Sequence, residues 1–103
     1  MENLNRIELR GVVGAVNVAK VCSTRVCRFS VATNYAYRDR NNGPVIETTW
    51  HQVVEWEKDG NFIEPKKGDN VEVNGRVHTQ KYTDSEGNEH TAYEVIANGV
   101  KVL

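Results

Sequence analysis

The stretch RVCRFSVATNYAYRDRNNGPVIETTWHQVVEW, residues 25–56, holds two strand patterns on either side of a turn. From Arg25 to Thr33 the residues alternate, with Cys27, Phe29 and Val31 on one face and Arg28 and Ser30 on the other. Successive side chains of a strand point to opposite faces, so this alternation predicts a half-buried strand. Arg38 to Pro44 (RDRNNGP) is a turn cluster, and its Asn42-Gly43 pair supplies the positive φ angles of a tight reversal. Ile46 to Trp56 is rich in Thr, Val and Trp. There Trp50, Gln52, Val54 and Trp56 share one side, and His51, Val53 and Glu55 take the other. Together these segments predict a long hairpin.

Towards the N-terminus, Ile7 and Leu9 alternate with Arg6, Glu8 and Arg10 in an earlier strand that runs into Gly11 and Gly14. Glycine inside a strand marks a bend or bulge of the kind that small barrels need. Towards the C-terminus, Glu57 to Lys67 (EKDGNFIEPKK) is the only break in the β pattern, and Gly60 and Pro65 allow at most a short helical connection around Phe62 and Ile63. Val71, Val73, Gly75 and Val77 then face inward, while Glu72, Asn74, Arg76, His78, Gln80 and Tyr82 face outward. Asp84 to Asn88 (DSEGN) is a second hairpin tip, Thr91 to Ala97 returns, and Val100 to Leu103 ends the chain. Five to six short strands with glycine bends describe a small all-β barrel in one domain, residues 1–103. An OB-fold, a Greek-key barrel, fits this order. An SH3-like barrel fits the pattern alone nearly as well.

A chain of 103 residues, 39% hydrophobic and 26% charged, has room for one core. At this size folding buries roughly 60 to 70% of the unfolded surface, so self-association would add useful burial. No apolar run reaches the length of a membrane span, and MENLNRIELR lacks the apolar centre of a signal peptide. The expected location is cytoplasmic, with no membrane partner. Cys22 and Cys27 are the only cysteines and read as free thiols, Cys27 as a small buried strand residue. The net charge is −1, which argues against coating nucleic acid through bulk basicity. The distribution is uneven: residues 1–45 hold seven Lys and Arg against three acidic residues, a net of +4, and the remainder nets −5.

Catalysis finds no support. His51, His78 and His90 are scattered, no HxxxH or CxxC spacing exists, and no Ser sits in a G-x-S-x-G elbow. No metal, cofactor or enzymatic activity is expected. The aromatic set is more informative, because Tyr35, Tyr37, Trp50, Trp56, Tyr82 and Tyr93 fall in or beside strands and hairpin arms. Tyr37 is followed by Arg38 and Arg40, Tyr82 is preceded by Lys81, and Trp50 lies in a polar run. An exposed ring beside a cation offers a base a π-face and its phosphate a counter-charge. Arg76, in the outward row that ends at Tyr82, adds a further cation for phosphate.

With these residues in place, the chain resembles the bacterial single-stranded DNA-binding protein family, homotetrameric OB-fold proteins of replication, recombination and repair. The resemblance runs from Ile7 to Leu103. Its strongest blocks are FSVATNYAYRDR (29–40), ETTWHQVVEW (47–56), KKGDNVEVNGRVHTQKYTD (66–84) and YEVIANGVKVL (93–103). The resemblance implies base stacking on Tyr37, Trp50, Trp56 and Tyr82, at positions where the family carries three tryptophans and a phenylalanine. It implies phosphate contacts from Arg40, Lys58, Lys67 and Lys81, with His78 and Gln80 standing where the family commonly has arginines. His51 matches an interface histidine, so a homo-oligomer is expected, either tetramer or dimer. The chain stops at the last strand without the family's linker and acidic Asp-Phe-ending tail, so partners recruited through that tail are not expected. The alternative reading is an OB-fold interaction module of a primosome-like assembly with weak DNA affinity.

Overall fold

The computed structural model of the chain describes residues 2–41 and 43–103. The strands are β1 (Ile7–Val21), β2 (Thr24–Asp39), β3 (Gly43–Trp56), β4 (Asn70–Thr83) and β5 (Glu89–Val102). They close into a barrel in the order β1-β2-β3-β5-β4, with β4 returning to β1. β3 and β5 run parallel and every other pair is antiparallel. This circuit is that of the OB-fold, and it settles the ambiguity left by the strand pattern alone. Asn42 of the expected Asn-Gly turn lies outside the described residues, and Gly43 has the positive φ, 83°, that the turn reading requires.

The core follows the alternation. Leu9, Val13, Cys27, Phe29, Val31, Val53, Val71, Val73 and Val95 form one buried cluster. Each large apolar side chain withdrawn from water in this way contributes about 1.5–3 kcal/mol. Cys27 packs among them as a small hydrophobe, and burial, reinforced by Glu55 and Glu64, pushes its thiol up to about 11. Both cysteines are free.

Two expectations are revised. The last two expected strands are one, because β5 runs unbroken from Glu89 to Val102. Its pairing with β4 shifts where Asn74 opposes Gly99 and Gly75 opposes Ala97, leaving Asn98 as the extra residue of a bulge. The chain bends there without leaving the sheet. Gly75 is required at this bend: a Cβ on it would sit 2.1 Å from the Ile96 carbonyl oxygen. The short helical connection does not form, and the described residues contain no helix. Asp59 and Gly60 take positive φ (52° and 78°), and Lys58 and Asn61 exchange backbone hydrogen bonds at 3.1 and 2.8 Å, a tight reversal incompatible with a helical turn. Pro65, beyond it, lacks the amide hydrogen that a helix would need.

The barrel accounts for only part of each long strand. Beyond Thr33 in β2 and before His51 in β3 the described residues are exposed apart from the half-buried Asp39, Gly43 and Val45, as are those from Thr79 in β4 to Tyr93 in β5 apart from Asp84. These halves form two-stranded arms. A compact fold of this length has a radius of gyration near 13 Å, whereas here it is 16.2 Å, with principal extents of 54 × 41 × 37 Å. The difference measures how far the arms project.

Candidate nucleic-acid interface

The four aromatics singled out above are all exposed: Tyr37 by 41%, Trp50 by 57%, Trp56 by 42% and Tyr82 by 51%. Burying rings of this size against the core would stabilise the fold, so leaving them in water calls for another use.

Trp50 is placed by a defect in β1. Val13 opposes Val31 and Val16 opposes Phe29, so Gly14 and Ala15 together face the single residue Ser30. The Ala15 amide left over by this bulge donates to Ser30 Oγ at 2.9 Å. Gly14 has no side chain there because the Trp50 ring lies against it: a Cβ would come within 2.7 Å of Trp50 Cζ3 and of Ser30 Oγ. Trp50 therefore rests edge-on against backbone and keeps its remaining surface open. Lys67 reaches the same place by a different route. Gly68 N donates to Val13 O at 2.8 Å and Val13 N to Asp69 O at 2.9 Å, so the loop before β4 is bound to the bulge. Gly14, Ala15, Ser30, Trp50 and Lys67 line one open cavity of about 380 Å³. It offers an aromatic surface and an ammonium group together.

Tyr82 sits on the β4–β5 arm directly opposite His90. The two rings are stacked, with centroids 5.2 Å apart and planes 23° from parallel. His90 Nε2 lies 2.7 Å from Asp84 Oδ2, and Asp84 Oδ1 accepts the amides of Glu86 and Asn88 at 2.9 Å. The His90 contact first, then those amides, holds the Asp84 carboxyl below its usual range. One π-face of Tyr82 is thus covered by a ring that the hairpin turn fixes, while the residue stays half exposed.

Trp56, the last residue of β3, opens onto a wide groove of about 820 Å³ shared with Lys58, Phe62, Asn98 and Val100. The floor of the connection is held by Arg25, which forks onto Glu57 at 2.7 and 3.1 Å and lies 4.4 Å above the Phe62 ring. Glu55 is buried beside it. Its Oε1 accepts the Ile63 amide at 2.7 Å, its Oε2 has no partner, and burial raises its pKa.

The arginines divide into two groups. Arg10, Arg25 and Arg28 are paired with Glu72, Glu57 and Glu94 at 2.6, 2.7 and 3.6 Å. Among the described residues, Arg38, Arg40, Lys58, Lys67, Arg76 and Lys81 form no ion pair, and all six are exposed. Among the described residues Arg6, Lys20, Lys66 and Lys101 form no ion pair either, and of the six only Lys67, beside Trp50, and Lys58, beside Trp56, share a cavity with a candidate ring.

Compared with known proteins, residues 4–103 match the model of the single-strand binding protein family. The chain belongs to that family. It is 36% identical to the single-stranded DNA-binding protein of Neisseria meningitidis over 98% of its own length, and it spans 60% of that relative. Single-stranded DNA-binding protein 1 of Xylella fastidiosa is 33% identical, with all of this chain and 79% of the relative covered. Among solved structures, a Plasmodium falciparum single-strand binding protein in complex with single-stranded DNA superposes with a TM-score of 0.85 at 29% identity, over 100% and 97% of the two chains. A small single-stranded DNA-binding protein from Streptomyces coelicolor shares the fold, with a TM-score of 0.70 at 20% identity, over 98% and 95% of the two chains.

The expected aromatic residues of the β2–β3 arm do not lie on one surface. Register places Trp50 opposite Ala32 and Tyr37 opposite Val45, and Val31 opposite His51 in the inward-facing row. Counting along the unbroken pairing, Tyr37 belongs to the Val31 row and Trp50 to the other, so the two rings occupy opposite faces of the β2–β3 arm. Arg38 shares the face of Trp50 and Trp56. His51, expected at an interface, is half-buried with Nε2 2.8 Å from Thr33 Oγ1. It lines a cavity of about 180 Å³ with Ile7, Trp50, Val77 and Tyr93. His78 is held against Glu94 at 3.2 Å, and Arg28 meets the same carboxylate. Sequence reasoning missed His90. Its signal was the symmetry of the DSEGN tip, about which Tyr82 and His90 are equidistant.

Proposed function

We propose that this chain binds single-stranded DNA with little sequence preference, covering and protecting it during replication, recombination and repair. Tyr37, Trp50, Trp56 and Tyr82 stack bases, and Arg38, Arg40, Lys58, Lys67, Arg76 and Lys81 meet phosphates. Stacking tolerates any sequence because every base has a π-face. The observation that carries this reading is the pairing of an open Trp50 ring with Lys67 in one cavity, beside the β1 bulge at Gly14 and Ala15. The Plasmodium falciparum relative in complex with single-stranded DNA supports it from outside.

The protein associates with copies of itself around His51, where Ile7, Val77 and Tyr93 line a cavity with it. Among the described residues no group of three or more potential metal ligands occurs, and no helix is long and apolar enough to cross a membrane.

Titration with oligo-dT while following tryptophan fluorescence, at two salt concentrations, tests the function. Stacking quenches Trp50 and Trp56, and the affinity falls with salt as phosphate contacts release counterions. A salt-independent affinity or an unquenched signal at saturation would refute this mode.

A further inference from the structure

Tyr35 has no role in the site described so far. It is 68% exposed, more than any of the four assigned aromatics. In the inward-facing row of β2 it lies two residues from Tyr37, on the face of the β2–β3 arm turned away from Trp50. The two tyrosine rings have centroids 6.1 Å apart and planes inclined at 31°. That separation is too large for the rings to cover each other face to face, so each keeps an open π-face. Apart from Tyr37, the Tyr35 side chain meets no ring or hydrogen-bond partner among the described residues. Its cross-strand neighbour is Glu47, itself exposed. A side chain so placed contributes nothing to the core, and water meets it on most sides.

The arm is also open around its edges. Beyond Ala32, β2 pairs only with β3, and before Val53, β3 pairs only with β2. A flexible single strand that stacks on Trp50 on one face and on Tyr37 on the other must pass around this ribbon. On leaving the edge it meets Tyr37 and Tyr35 as neighbouring rings in one row.

We propose that Tyr35 is a further base-stacking residue, which with Tyr37 receives consecutive bases on the face of the arm away from Trp50. This rests on the single-strand reading above, and it adds a contact outside the four aromatic positions assigned there. The occupant is the nucleic acid itself, argued from continuity with Tyr37 and from the open edges of the arm.

The test compares Tyr35→Leu, Tyr35→Phe and Trp50→Ala in the full chain, using oligo-dT and oligo-dT bearing 5-iododeoxyuridine for photo-crosslinking. Thermal melts accompany each variant, and the exposure of Tyr35 predicts an unchanged midpoint for both of its substitutions. The expected result is a 5- to 150-fold loss of affinity in Tyr35→Leu, retention in Tyr35→Phe, and a crosslink that maps to Tyr35. If Tyr35→Leu binds like the parent while Trp50→Ala is weakened, Tyr35 is not a stacking residue and the single-strand reading stands. If the parent itself fails to bind oligo-dT, the single-strand reading has failed. A change of molar mass in Tyr35→Leu by light scattering would assign this face to a second copy of the chain and overturn the proposal.

Discussion

The barrel halves and arm halves of the same strands follow opposite rules. In the barrel, β2 buries Val26, Cys27, Phe29, Ser30 and Val31. A few residues on, Asn34 to Arg38 of the same strand are all exposed. β4 and β5 divide in the same way. One half of each strand obtains its stability from a closed core, and the other half is a two-stranded ribbon attached to it. Isolated hairpins are marginal in water, so the arms depend on the barrel for their shape. What they gain is access: both faces of the ribbon are exposed, and rings that would be core residues elsewhere stay in water.

This division predicts that substitutions separate into those that unfold and those that only weaken binding. The largest effect is expected in the barrel. Phe29→Ala removes a fully buried ring and should cost about 3–5 kcal/mol of stability, read as a large drop in denaturation midpoint. Binding by the folded fraction should be unchanged. The comparison would break if Phe29→Ala melted like the parent.

Trp50→Ala should do the reverse. Stacking contributes about 1–3 kcal/mol per base, so oligo-dT affinity should fall roughly 5- to 150-fold while the thermal midpoint barely moves. Equal losses of stability and affinity would show that Trp50 holds the Gly14 bulge together rather than serving as a platform.

A smaller change is expected from the cations. Each phosphate contact with single-stranded nucleic acid adds about 0.7 to the magnitude of the slope of log affinity against log salt. Arg38→Ala combined with Arg40→Ala should flatten that slope by roughly 1.4 if both arginines touch phosphate. Arg10→Ala, which only breaks the exposed pair with Glu72, should leave the slope as it was. A slope that responded to Arg10 and not to the arm arginines would move the phosphate path to the barrel wall.

The smallest effect concerns Glu55, at the base of the barrel and away from the arms. Its pKa is raised, chiefly by burial, so the folded state holds the proton more tightly than the unfolded state does. The stabilisation is present below the ordinary carboxylate range and is lost as pH rises through the folded pKa. Glu55→Gln keeps the oxygen that accepts from Ile63 and removes the ionisation. The variant should therefore gain thermal stability relative to the parent as pH rises from 4 to about 8. A gap that stayed constant with pH would show that the carboxyl is not titrating in that window.

Much of the barrel was legible in the residues because alternation reports directly on burial. Cys27, Phe29 and Val31, or Val71 and Val73, can be assigned to the core by counting in twos. The aromatics in and beside the strands stood out as large rings, and the family resemblance picked Tyr37, Trp50, Trp56 and Tyr82 from among them. Alternation breaks down where a strand has no core to face. Tyr35 and Tyr37 are in phase with Val31, which in the barrel would mean buried, and yet both are exposed. Their phase also places Tyr37 across the ribbon from Trp50, a relation that depends on unbroken register over the whole hairpin. The bulge at Asn98 hid the continuity of β5, because one extra residue reverses the phase. The absence of a helix between β3 and β4 turned on the φ angles of Asp59 and Gly60, of which only the glycine gave warning.

The order of apolar and polar residues determined that this chain is a small barrel of antiparallel hairpins with aromatics and cations left over from the core. That information is local, since each residue need only prefer water or its absence. Closure through a parallel β3–β5 contact, the seating of Trp50 on Gly14 beside Lys67, the Tyr82–His90 stack and the distribution of rings over two faces of one arm were decided by the tertiary structure alone. Each joins residues far apart along the chain or across a turn, and their geometry follows from bulges and register that come into being only when the strands pair.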